Sequence, residues 1–493
     1  MYDGIIFTDV NETLGYAKYA GAYRIASALR NVNANIKVID LFVRLTEDEI
    51  HILLKKFVST QTKFVGVAST LLHNANNLHG FDSKTFGRIK ESIKDQNPSC
   101  DLIIGGSRVG LTTKLSGVDF YFIGKADISI LEYYNYKTGK ENSLKVFKHE
   151  DRNYIKTTDH NVSSDFFKTT DIIYDKSDII FPNEALPLEI SRGCIFKCSF
   201  CQYDLIGKKK WEYLKDPSVL RDELIRNYEM FGTTNYLFSD DIINESMEKV
   251  TYLHKVLTSL PFKVNWNSFA RLDMFWAFPE MREMIQEMGA AALYFGIETL
   301  DEKAGKSVGK GLGKDRIFKT LDYLKEKYDN EIIIGSNFIL GLPHETEQSL
   351  YDTFNWLSSD ECPINAFSFI PLNLRTVEDG RPLNEISLNP SKFGYTYNEI
   401  NNKIIWENEH LTWERAYEIH NEFYNNENFY HKNLSGSSWL GRITNLNIPL
   451  QEVKSLIFKK KTFLESKEIS ESWKILTNQK ISDYKKILLG DVL

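Results

Sequence analysis

Apolar residues along this chain follow two rhythms that alternate. The short runs GIIFTDV (4–10), IKVIDLF (36–42), FVGVAST (64–70), DLIIGG (101–106) and VDFYFIG (118–124) are apolar throughout, the pattern of buried strands. Between them, GAYRIASALRNV (21–32), EDEIHILLKKFV (47–58) and SKTFGRIKESIKD (83–95) repeat apolar positions at helical spacing. Strands separated by helices of this length predict a parallel, doubly wound sheet over residues 1–140. Ligands of such sheets bind outside the carboxyl ends of the strands. Here those ends are Thr8-Asp9, Ser69-Thr70-Leu71, Gly105-Gly106 and Gly124. The double glycine lets backbone approach a ligand closely. Residues 141–184 are polar and read as a linker or covering segment.

A second strand–helix series begins near residue 186. Its strands are LPLEIS (186–191), TNYLFSD (234–240), KVNWNSFA (263–270), AALYFGIE (291–298), IIIGSNFILG (332–341) and NAFSFIPL (365–372). Helical spacing between them, as in VLRDELIRNYEMF (219–231) and DRIFKTLDYLKEKY (315–328), predicts a partial (β/α)6 barrel over 185–375. Chemistry in such barrels sits at the carboxyl ends of the strands. Over 376–493 the alternation stops, and helical stretches at 407–425, 449–459 and 464–488 predict a mainly helical region. The three lysines from Lys459 to Lys461 read as a solvated helix end. The expected fold class is α/β throughout the first two units.

Composition narrows the function classes. With 493 residues, two or three domains are expected, and 42% hydrophobic with 13% aromatic residues suits a folded globular chain. A net charge of −7 argues against a nucleic-acid partner. The start MYDGIIFTDVNETLG lacks the regions of a signal peptide, and no run of about eighteen apolar residues occurs, so no membrane span is expected. Five cysteines do not make a disulfide framework, and a reducing, cytoplasmic location is expected.

Three of those cysteines, Cys194, Cys198 and Cys201, fall within "ISRGCIFKCSFCQYD", just past the first barrel strand. Thiolates select zinc, copper(I) or iron–sulfur clusters. A structural zinc site closes with four ligands, and the remaining Cys100 and Cys362 lie in other strand–helix repeats, leaving a histidine such as His160 to complete it. A 4Fe-4S cluster on three thiolates instead leaves one iron open, the mark of a catalytic site.

The run C-x3-C-x-F-C at the first strand end of a six-repeat barrel resembles the radical S-adenosylmethionine enzymes, over residues 186–372. The resemblance implies that Cys194, Cys198 and Cys201 ligate three irons, that S-adenosylmethionine chelates the fourth, and that one electron from the cluster yields a 5′-deoxyadenosyl radical. It places Phe200 near the adenine, with core packing as the plainer reading. The common Gly-Gly-Glu is absent; FSDDIIN (238–244) stands there, so Asp240 or Asp241 is expected to meet the methionine ammonium, unless one caps the next helix. By the same resemblance Arg271 meets the carboxylate and Glu298 the ribose, with an internal Arg271–Glu298 ion pair as the plainer reading. FILGLPHET (338–346) resembles the fifth strand end, which puts Gly341 beside the adenine and leaves Pro343 and His344 to shape the turn.

The first domain, Rossmann-like, resembles the cobalamin-binding domain that precedes many such barrels, on the stretches GAYRIASALR, VIDLF, VGVAST, LIIGGS and VDFYFIGKAD. That resemblance implies cobalamin over Ser69, Thr70, Gly105 and Gly106. The D-x-H-x-x-G that supplies a histidine to cobalt is missing, since Asp9 is followed by Val10-Asn11-Glu12, and His73 is expected to face solvent. A methyltransferase acting on a small-molecule substrate, with a flavodoxin- or ferredoxin-type electron donor, is the implied activity. Radical chemistry without cobalamin, such as rearrangement or cyclisation, and a non-enzymatic metal-stabilised scaffold are the alternatives. No C-terminal cysteine cluster exists to hold an auxiliary cluster, which weighs against a peptide substrate.

Overall fold

The computed structural model describes residues 1–11, 16–69, 72–74, 77–78, 83–106, 109–111, 113–156, 160–203, 205–375, 383–400, 403–426, 445–458 and 462–490. Its first sheet is built from β1 (Gly4–Phe7), β2 (Ile36–Ile39), β3 (Phe64–Ala68), β4 (Asp101–Gly106), β5 (Phe120–Ile123), β6 (Val146–His149) and β7 (Arg152–Ile155). The strands lie in the order β6-β7-β5-β4-β3-β1-β2. All neighbours are parallel except the β6–β7 pair. Chain order reverses between β1 and β3, so the doubly wound fold expected from the alternating pattern has its switch point there. Register sets Ala68 beside Gly105, two small residues at the carboxyl edge, and Gly105 beside Phe122.

The segment expected as a linker is only partly one. Residues 146–155 form a hairpin that extends this sheet, with Tyr154 paired to Tyr121 and their rings stacked at 5.1 Å. Val146–His149 is an edge strand exposed along its whole length, so no apolar run betrays it. A helix, His160–Thr169, then leads towards the second sheet.

That second sheet is all parallel and runs in chain order: β8 (Leu186–Leu188), β9 (Asn235–Phe238), β10 (Asn265–Ala270), β11 (Ala290–Glu298), β12 (Ile333–Leu340) and β13 (Ala366–Pro371). The order is that of the partial barrel predicted from the repeats. Alternate residues of β11 divide between two cores. Leu293 and Phe295 pack outward with the helices, whereas Ala292 and Tyr294 face inward with Ile333 and Ala366. Burial on both faces explains why these strands read as continuous apolar runs.

Beyond the barrel, β14 (Thr396–Ile400) and β15 (Lys403–Glu407) form an antiparallel hairpin, and the helix expected from residue 407 starts at Trp413. The last helix, Phe463–Leu489, has 27 residues and so is about 40 Å long. Its Trp473 packs into the barrel interior, while Tyr484, Leu488 and Leu489 join the core of the first sheet. One helix thereby braces both units. Among the described residues no helix is long and apolar enough to cross a membrane.

Candidate functional site

The cysteine loop leaves β8 and doubles back on itself. Cys194 N–H donates to Leu205 O at 2.9 Å, and Gly207 N–H donates to Cys194 O at 2.7 Å. Gly193 makes the reversal possible: its φ is +77°, and a Cβ there would lie 2.4 Å from Leu205. Later segments clasp the loop from outside, Ser199 N–H to Val308 O at 3.2 Å and Asn384 Nδ2 to Phe200 O at 2.9 Å. Cys194 and Cys198 are buried and Cys201 is partly exposed. Burial pushes the Cys194 thiol up to about 12 and the Cys201 thiol to about 11. Thiols so placed become thiolates when a metal supplies the compensating charge. Among the described residues no three His, Cys, Asp or Glu side chains are gathered to hold a single ion. Cys100 is buried in the core of the first sheet and Cys362 in the core outside the barrel.

The two aspartates after β9 have separate tasks. Asp240 is 2% exposed and accepts from Ile190 N–H at 2.9 Å and Ser191 N–H at 2.8 Å, with Lys249 Nζ 3.3 Å away. It is a pin holding the strand end that launches the cysteine loop, so its oxygens are not open to a ligand ammonium. Nor does either aspartate cap the next helix; Ser246 does, accepting from Lys249 N–H. Asp241 lines the central cavity. Burial, then the neighbouring Asp240, raise its pKa to about 6.

Arg271 does not pair with Glu298. Its guanidinium grips Asp273, lies 3.8 Å over the Phe196 ring and directs Nη1 at Cys198 Sγ, 3.4 Å away. The partner two residues on is simply nearer, because the chain turns into a short helix there. Glu298, at φ +71°, pairs instead with Lys310 at 3.6 Å, and burial raises its pKa. Phe200 lines the cavity. Gly341 does not: Trp406 fills the space a Cβ would take, at 2.2 Å. Its N–H donates to Glu345, and its carbonyl accepts from Tyr395. The C-terminal hairpin therefore covers the fifth strand end that was expected to face adenine.

A cavity of about 1360 Å³ runs from the carboxyl edge of the first sheet into the barrel mouth. Gly66, Ala68, Gly105 and Gly106 floor its near end, and Phe269, Phe338 and Ile370 line the far end. Gly106 has φ +122°, and a Cβ there would meet Ser69 Oγ at 2.7 Å. At the switch point Thr8 Oγ1 and Ser69 Oγ are buried without a hydrogen-bond partner among the described residues. Orphaned hydroxyls beside a glycine-floored cleft fit a ligand that brings its own polar groups. Thr70 lies outside the described residues, as does Leu71. No histidine is among the described residues that line the cavity.

Sequence reasoning missed a group of four charges where the two units meet. Arg24, Asp127, Glu189 and Arg192 line the cavity and pair with one another. Burial pushes the Asp127 carboxyl up, but Arg192 and Arg24 outweigh it and hold it well below the usual carboxylate range. Asp273, Lys310 and Asn384 were missed too. A long-range ion pair leaves no periodic trace, but Asp273, two residues from Arg271, was within reach of local inspection.

Residues 188–357 match the model of the radical SAM superfamily. An uncharacterized methyltransferase of Pyrococcus horikoshii is 22% identical over 353 residues, 68% of this chain and 72% of that protein. The bacteriochlorophyllide d C-12(1)-methyltransferase of Chlorobaculum tepidum is 23% identical over 188 residues, 38% of this chain and 40% of that one. Among solved structures, the methyltransferase TsrM of Kitasatospora setae, with cobalamin and a 4Fe-4S cluster bound, superposes with TM-score 0.66 at 12% identity, over 97% of this chain and 100% of that one. OxsB with aqua-cobalamin and S-adenosylmethionine bound gives 0.53 at 15% identity, over 80% of this chain and 56% of that one. Residues 188–357 therefore form a domain of the radical S-adenosylmethionine superfamily, in a chain whose overall fold is shared with two cobalamin-carrying members of it.

Proposed function

We propose that the protein is a cobalamin-dependent radical S-adenosylmethionine methyltransferase acting on a small molecule. The observation that carries this reading is the continuity of the cavity, which joins the glycine-floored cleft of the first sheet to the cysteine loop. Bound there, the 4Fe-4S cluster supplies one-electron cleavage of S-adenosylmethionine, and the corrin supplies a methyl carrier.

Cys194, Cys198 and Cys201 hold the cluster. Arg271, fixed by Asp273 and Phe196, points a guanidinium N–H at the Cys198 sulfur and stabilises its negative charge. Asp241 receives the methionine ammonium, and Phe200 covers the adenine. The Glu298 carboxylate, balanced by Lys310, accepts from ribose hydroxyls. Thr8 and Ser69 donate to the corrin side, with Gly105 and Gly106 giving it room. Exposed Lys197, Lys209, Lys210, Lys303 and Lys306 lie in or beside the cysteine loop and on segments bonded to it. They support docking of an acidic flavodoxin- or ferredoxin-type donor. Five free thiols fit a cytoplasmic location. An anaerobic ultraviolet–visible spectrum after reconstitution with iron, sulfide and hydroxocobalamin tests the reading. Both cluster and corrin bands are expected to survive gel filtration, and a cluster without corrin would remove the cobalamin half of it.

A further inference from the structure

The four charges between the two units form a closed ring. Asp127 stands on the turn between β5 and the helix Ser129–Lys137, and Arg24 on the helix Ala20–Arg30; both belong to the first unit. Glu189 directly follows β8, and Arg192 sits two residues before Cys194. Arg192 Nη1 and Nη2 each lie 3.0 Å from one Asp127 oxygen, a two-point grip. Its Nε is 3.0 Å from Glu189 Oε1. Arg24 Nε closes the ring at 3.2 Å from Glu189 and 3.3 Å from Asp127.

Two further features stiffen it. Both guanidiniums lie over the Phe167 ring, at 5.1 Å for Arg24 and 4.8 Å for Arg192. Arg24 also donates to Thr170 O at 2.9 Å and to Thr170 Oγ1 at 2.8 Å. Planar forks meeting carboxylates at two points admit one register, unlike a pair of flexible point charges. On the barrel side the same loop is held by Asp240 through the Ile190 and Ser191 amides. The residue that leads into the first cysteine is thus tied to both units at once.

We propose that Asp127 is a positioning residue: its two-point pair with Arg192 fixes the spacing between the corrin cleft of the first unit and the cysteine loop of the barrel. This rests on the methyltransferase reading, because that spacing decides how S-adenosylmethionine approaches the corrin. A misplacement of about 1 Å can slow a positioned reaction about a hundredfold.

The test pairs a measurement that needs no cofactor with one that does. In the cofactor-free protein, Asp127→Asn is expected to raise amide hydrogen exchange over residues 124–130 and 189–194 by at least about tenfold. With cluster and corrin loaded and reduced by titanium(III) citrate, a methyl group passes from the sulfonium to cobalt, whose electron pair forms the new bond, and S-adenosylhomocysteine leaves. No methyl acceptor is needed for that step. Asp127→Asn is expected to keep its iron and its affinity for S-adenosylmethionine while releasing S-adenosylhomocysteine tenfold to a hundredfold more slowly. Asp127→Glu, one methylene longer, keeps the charge; it should regain the exchange protection and still transfer slowly. Wild-type exchange in Asp127→Asn would overturn the tie whatever the protein's activity. Loss of iron in Asp127→Asn, with wild-type transfer in Asp127→Glu, would reduce Asp127 to a structural residue. Altered exchange in a protein that binds no corrin would refute the methyltransferase reading and leave the tie standing.

Discussion

Replacing Asp240 by Asn separates the two neighbouring aspartates by their energetics. The side chain is fully buried, and its carboxylate meets two backbone N–H groups and Lys249, itself 2% exposed. Burial raises the Asp240 pKa, and the Lys249 charge and the two amides oppose that rise. Asn preserves an oxygen for the amides but removes the charge opposite Lys249, which then keeps Ser191 Oγ at 2.6 Å, Ile242 O at 2.8 Å and a distant Glu245 at 3.8 Å. Removing one partner of a buried pair costs about 3–5 kcal/mol. For a unit of barrel size, each kcal/mol lowers the unfolding temperature by about 2–4 °C, so a fall of roughly 6–20 °C is expected. Calorimetry of the cofactor-free protein measures it. Asp241→Asn, by contrast, should unfold like wild type, since that carboxylate faces the cavity and burial already disfavours its charge. If Asp240→Asn were as stable as wild type and instead lost affinity for S-adenosylmethionine, the assignment of the two residues would be reversed.

Asp241→Asn should weaken S-adenosylmethionine binding by about 1.5–3 kcal/mol, read by titration calorimetry. Because the Asp241 pKa is raised to about 6, wild-type affinity should fall as pH drops through that value, and the variant should show no such fall. Any single alanine replacement of Cys194, Cys198 or Cys201 should abolish cluster retention, whereas Cys100→Ala and Cys362→Ala should keep wild-type iron and sulfide. Ser69→Ala should cost the corrin about 0.5–1.5 kcal/mol of affinity, measured spectrophotometrically, without lowering the stability of the cofactor-free protein, in which that hydroxyl has no described partner.

The alternation of apolar runs and helical spacing was enough to place the buried strands of both sheets, because strands buried on two faces cannot hide their composition. The hairpins at 146–155 and 396–407 escaped for the opposite reason. Val146–His149 and Thr396–Ile400 are exposed along their length and carry no apolar run. TYNEI and KIIWE on either side of Asn401-Asn402 did offer a signal, β-branched and aromatic residues about a turn pair. The cysteine loop was legible because its chemistry is local. The tasks of Asp240 and Asp241 were not, since adjacent carboxylates differ only in what folds around them. Gly341 misled because its surroundings come from Trp406 and Tyr395, more than fifty residues later. Arg192 and Asp127, 65 residues apart, meet only once the two sheets face each other.

Electron paramagnetic resonance of the anaerobically reconstituted, dithionite-reduced protein, recorded with and without S-adenosylmethionine, bears most directly on the central claim. A cluster of about four irons on three thiolates keeps one iron open to that molecule. The account predicts a reduced-cluster signal whose g values shift when S-adenosylmethionine is added, and the absence of that signal in Cys198→Ala. A signal indifferent to S-adenosylmethionine, or tightly bound zinc in place of iron, would contradict it.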